Sequence, residues 1–160
     1  MDYFQGVVTD YLRANRATFV NTECCIQLNP GPNPDTSGPH WYCDAVAVNL
    51  QERKAYLCEI TYAKSLGALS KRLANWSEHW PLLRIALQRD CGIELDWLVR
   101  PWLFVPESLR ELLGQQLAKL PSAGLVGEQM PPAKVTSLET VLPWKYNSWH
   151  REHHDEPLSE

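Results

Sequence analysis

Residues 40–72 read HWYCDAVAVNLQERKAYLCEITYAKSLGALSKR, and this stretch decides the fold. Apolar and polar residues alternate over 41–50 and again over 55–62, the period of two that a strand requires. Gln51, Glu52, Arg53 and Lys54 join them, a polar tetrapeptide suited to a hairpin turn. Alternation places Asp44 on one face with Val46, Val48 and Leu50. It places Glu59 with Leu57 and Thr61, opposite Cys58, Ile60 and Tyr62. Both acids therefore fall among apolar neighbours. A buried carboxylate costs several kcal/mol unless it neutralises, pairs or binds a cation, so each acid demands a partner.

After Tyr62 the period changes. Leu66, Leu69, Leu73, Trp76, Trp80, Leu83 and Leu87 step by three and four, predicting one helix over 64–79. Pro81 opens a second that runs to about Arg89, and Gly92 is placed to cap it. Upstream, Phe4, Val7, Val8, Tyr11 and Leu12 give a helix over 2–15, with Asp2, Gln5, Asp10 and Arg13 on its outer side. A strand over 18–28 puts Val20, Thr22, Cys24, Ile26 and Leu28 on one face, and Glu23 on the polar face. Four prolines and two glycines preclude regular structure over 29–40, which reads as a flap-like loop. Downstream, 93–105 alternates as a strand bent near Pro101, and 106–120 is a helix stopped by Pro121. Residues 122–132 are a loop, and Thr136 with Glu139 matches a capping box before a short helix.

With helix, strand, loop, strand, turn, strand, helices, strand and helix in that order, the class is α/β or α+β: a mixed central sheet flanked by helices. One domain is expected over 1–149, with a polar, disordered tail over 150–160. At 160 residues, 44% of them hydrophobic and 21% charged, the chain can bury a full core. No run approaches the ~18 apolar residues of a membrane span, and MDYFQGVVTDYL lacks the basic leader of a signal peptide. Five cysteines without a CxxC spacing fit neither a disulfide framework nor a zinc site, so they read as reduced thiols of a cytoplasmic protein. Cys58 is a core residue by its position opposite Glu59.

Net charge is −4, which gives no whole-molecule attraction to nucleic acid, but Lys64, Lys71, Arg72, Arg84 and Arg89 gather in one region. Trp41 and Tyr42, beside the Pro-rich loop, are candidates for stacking on a base. His150, His153 and His154 have transition-metal affinity of the kind an adventitious ion exploits. There is no GxSxG, Walker-type glycine loop, GxGxxG or HExxH.

The order of elements with these two acids resembles the restriction-endonuclease-like superfamily, the PD-(D/E)XK nucleases, over roughly residues 2–105. Cys43-Asp44 stands where proline-aspartate would, and Glu59-Ile60-Thr61 where E-x-K would; fourteen residues lie between the acids. The resemblance implies Mg²⁺, or Mn²⁺, held by Asp44 and Glu59, with Glu23 as a third carboxylate. It implies hydrolysis of DNA, with RNA as the other polyanion that the same chemistry takes. Thr61 carries no cation, so the missing lysine is assigned to Lys64, and Lys71 is the next candidate. Lys64, Lys71 and Arg72 are the expected phosphate contacts, and a homodimer stays open. The same pattern fits a catalytically inactive copy of the fold that binds a protein or a nucleic acid.

Overall fold

The computed structural model describes residues 2–30, 39–120, 128–147 and 151. A five-stranded sheet has strands in chain order, β1 Thr18–Gln27, β2 His40–Asn49, β3 Lys54–Ile60, β4 Leu98–Val105 and β5 Lys134–Ser137. The first three form an antiparallel meander, while β4 pairs parallel with β3 and β5 parallel with β4. The parallel step from β3 to β4 needs a crossover. Helices α2 Gly67–Glu78 and α3 Trp80–Cys91 provide it, and their apolar stripe of Leu69, Leu73, Trp76, Trp80, Leu83 and Leu87 is buried on one face of the sheet. Leu113 of α4, Arg110–Ala118, joins the same layer. On the other face Val8, Tyr11 and Leu12 of α1, Tyr3–Arg13, cover Ala45, Ala47, Cys58, Trp102 and Phe104. The class is the expected one, a mixed sheet with helices on both sides.

Local signals set most of the boundaries. Asp2 caps α1 through a capping box with Gln5. Pro81 stands in the first turn of α3, and Gly92 ends that helix at φ +68, where a side chain would strain the backbone. Three expectations need correction. The strand expected over 93–105 begins only at Leu98, because buried Arg84 donates Nη2 to the carbonyls of Leu95 and Trp97, each at 2.9 Å, and curls that segment. Pro101 lies inside β4 and causes no break there; the β5 ladder starts at Trp102, just beyond the proline's missing donor. The capping box of Thr136 and Glu139 does not form. Thr136 is in β5 with its hydroxyl accepting Trp102 Nε1 at 2.9 Å, and Glu139 accepts the N–H of Glu107.

Of the expected tail over 150–160, only Arg151 is described. It is buried, donates to the carbonyl of Leu12 and packs against the rings of Tyr11 and Trp102, so it belongs to the fold. The three tail histidines lie outside the described residues, as do 31–38 of the Pro-rich loop and 121–127 of the loop before β5.

Candidate active site

The two acids stand where the sheet splits. The β2–β3 ladder runs from Asn49–Lys54 to Ala45–Cys58 and stops, while β3 stays paired to β4 through Ile60 and on to Thr61, whose N–H reaches the Phe104 carbonyl at 3.0 Å. On its other side β2 loses its partner at the same place. Thr22 pairs with Ala45 and Cys24 with Cys43 in one register, but Glu23, opposite Asp44, has φ +53 and is skipped by the ladder. Asp44 thus lacks a ladder partner on either side, and side chains stitch the gap. Its Oδ2 accepts the Ile60 N–H at 2.8 Å, and its Oδ1 accepts Gln5 Nε2 at 3.2 Å. The Cys43 thiol donates to the Cys58 carbonyl at 3.2 Å.

This break overturns the face expected for Asp44. Val46 and Val48 pack toward α2 and α3, whereas Ala45 and Ala47 pack toward α1, and Asp44 reaches Gln5 on α1. The strand turns over at Asp44, so alternation counted through it gives the wrong side. The same happens on β1: Val20 belongs to the α1 layer, and Cys24 and Ile26 to the opposite one.

Glu59 lies where alternation puts it, on the Leu57 face beneath α2, and is only 4% exposed. Arg72, between the buried Leu69 and Leu73, extends from α2 and donates Nη1 to Glu59 Oε2 at 2.5 Å. Oε1 is buried and has no hydrogen-bond partner among the described residues. Burial, followed by the nearby charge of Asp44, pushes the Glu59 carboxyl up to about 8; the Arg72 guanidinium and the Asp44 backbone amide oppose this without cancelling it. Asp44 is also raised, by burial, against the Ile60 N–H, Arg72 and Gln5.

The structure redistributes the other expected roles. Arg72, expected on phosphate, is the cation beside the acids. Lys64 and Lys71 are exposed, and Lys64 makes no hydrogen bond or ion pair among the described residues. Thr61 turns its hydroxyl to the Ala63 N–H at 3.3 Å. Glu23 is exposed, and no group of three His, Cys, Asp or Glu able to hold a metal ion occurs among the described residues. Arg84 and Arg89 leave the basic face: the first is buried on Glu128 and loop carbonyls, the second holds Asp90 and the carbonyls of Gln27 and Asn29. Trp41 is half-buried and meets His79 edge-on, whereas Tyr42 is exposed. Gln5 was missed because its helical position reads as outward. The usable signal was its place three residues after Asp2: its Oε1 accepts the Asp2 N–H, which aims Nε2 at Asp44.

No protein-family model matches the sequence, and no curated protein matches it either. The chemistry must be read from the site. Two carboxylates offer hard oxygen donors, and Mg²⁺ is commonly held by one or two carboxylates with substrate phosphate completing its shell. The unpartnered Oε1 of Glu59 fits such an ion. The Cys43 and Cys58 thiols do not, since burial raises both and keeps them protonated.

Proposed function

We propose that this protein is a divalent-metal-dependent nuclease of the restriction-endonuclease-like kind, hydrolysing phosphodiester bonds of DNA. The observation that carries the reading is the buried, unpartnered Glu59 Oε1 beside Asp44 at the point where β2 and β3 part. A helix, a three-stranded meander with acids on its second and third strands, a helical crossover and a parallel strand also agree with that family's plan. Five free cysteines agree with a cytoplasmic setting.

Although β2 turns over at Asp44, the two acids lie close enough for Asp44 to act on the Glu59 carboxyl, and together they would hold the Mg²⁺ or Mn²⁺. Such an ion supplies Lewis acidity toward the scissile phosphate and acidifies water. Asp44 is set for this by Gln5 and Ile60, which fix its carboxylate before any ligand arrives. Glu59 must give up a proton to bind a cation, and once it does so Arg72 is placed to turn its planar fork toward a phosphate oxygen. Arg72 thereby takes the part assigned to Lys64.

A second reading, a catalytically inactive copy that binds a partner, is favoured by Thr61, whose hydroxyl is engaged in the local turn. Thermal melts with Mg²⁺ and Mn²⁺, paired with cleavage assays on plasmid and on single-stranded DNA, separate the two. Wild-type protein should gain melting temperature and cleave DNA, and Asp44→Asn and Glu59→Gln should lose both. Folded wild-type protein indifferent to either ion and inert on DNA would leave only the binding reading.

A further inference from the structure

The acid site does not use the ring cluster beside it. Tyr62 is 53% exposed and packs tilted against Phe4, with centroids 4.7 Å apart and planes 32° from parallel. Tyr3, 67% exposed, meets Phe4 edge-on at 5.3 Å. Two hydrogen bonds tie this cluster to Asp44. Gln5, the residue after Phe4, donates to Oδ1, and Ile60, two residues before Tyr62, donates to Oδ2. The rings and the carboxylate are therefore fixed to one another by the same pair of contacts.

Core packing does not account for Tyr62. Phe4 backs one face of its ring, which limits its rotamers, and half of the side chain still meets solvent. That is the form of a prepared stacking surface. The chain that follows it is basic, from Thr61 to Ser77 carrying Lys64, Lys71 and Arg72 and not one acid, while Asp2 beside Tyr3 is the exposed acid of the cluster. Lys64 is exposed two residues beyond the ring, and Lys71 is exposed on α2.

We propose that Tyr62, backed by Phe4 and extended by Tyr3, stacks on an unpaired base of a single-stranded nucleic acid whose phosphates pass Lys64. The inference rests on reading Asp44 and Glu59 as a phosphodiester site, and it narrows the substrate to a single strand or an unpaired end. In a duplex the base faces are already stacked within the helix, and only a splayed base presents a π-face to an aromatic side chain. A duplex could meet the lysines but would gain nothing from Tyr62.

Fluorescence anisotropy with a labelled oligonucleotide of about 15 nucleotides, alone and annealed to its complement, tests this with the full chain in EDTA, so that cleavage plays no part. The single strand should bind more tightly than the duplex. Tyr62→Ala should weaken single-strand binding about 5- to 150-fold, as one lost stacking contact does, with the fold retained. Tyr62→Phe should restore it, because the ring face is what is read. Equal affinity for both forms, undiminished binding by Tyr62→Ala, or no binding of either would overturn the platform. Mg²⁺-dependent cleavage of the single-stranded oligonucleotide that ignores Tyr62→Ala would also overturn it while leaving the acid site intact. Tyr62-dependent single-strand binding without cleavage in Mg²⁺ would support the platform and remove only the hydrolytic reading.

Discussion

Arg72 on α2 and Glu59 on β3 are joined by one charge-assisted hydrogen bond, from Nη1 to Oε2, with the acid buried and the arginine side chain still 39% exposed. The pair is half in water and half in the core. Removing the arginine leaves a carboxyl that cannot rehydrate. Arg72→Ala should cost about 1–3 kcal/mol, less than a fully buried pair because solvent screens the exposed partner. The loss should be larger at pH 9 than at pH 5, since only the ionised acid needs the cation. Urea denaturation at the two pH values measures it.

Glu59 titrates near 8 in the folded chain against 4.5 for the ordinary carboxyl. Between those values the folded state keeps a proton that the unfolded state has released. The folded state binds more protons, so stability falls as pH rises through that window and levels off above it. Glu59→Gln removes this titration. Its melting temperature should match wild type near pH 5 and exceed it increasingly toward pH 9; a difference flat with pH would contradict the raised carboxyl.

Asp44 stands in for a missing ladder acceptor at Ile60. Asp44→Ala should strand that amide and the Gln5 side chain, at about 1–3 kcal/mol. Asp44→Asn keeps an acceptor and should cost less. Hydrogen exchange gives the residue-level check: the Ile60 amide should lose protection in the alanine variant, while the Thr61 amide, bonded to Phe104, should change less.

Among the thiols, Cys91 should react first. It is exposed at the end of α3, and the neighbouring Cys24 thiol lowers it. Buried Cys43 and Cys58 are raised and should stay unmodified in the folded chain. Alkylation at pH 7.5 followed by peptide mass spectrometry should find Cys91 labelled ahead of both, and Cys24→Ser should slow it.

The class and order of the elements were legible in the sequence because short-range forces set them. Period-two alternation gave the hairpin, the Leu and Trp stripe gave α2 and α3, and Pro81 and Gly92 marked where α3 begins and ends. The inward position of Glu59 followed from alternation as well, since β3 is regular up to that residue. Asp44 is the contrast. Its direction depends on a ladder pair skipped at Glu23, whose φ is positive, on the neighbouring strand, and on a glutamine 39 residues away. The cation was decided in the same way. Lys64 is nearer Glu59 in sequence, but it sits in the exposed link before α2, whereas the pitch of a docked helix brings Arg72 over the acid from 13 residues on. Local pattern reaches three or four residues along the chain. Which side chain meets which carboxylate was decided only when α1 and α2 packed on opposite faces of a sheet whose strands part at Asp44.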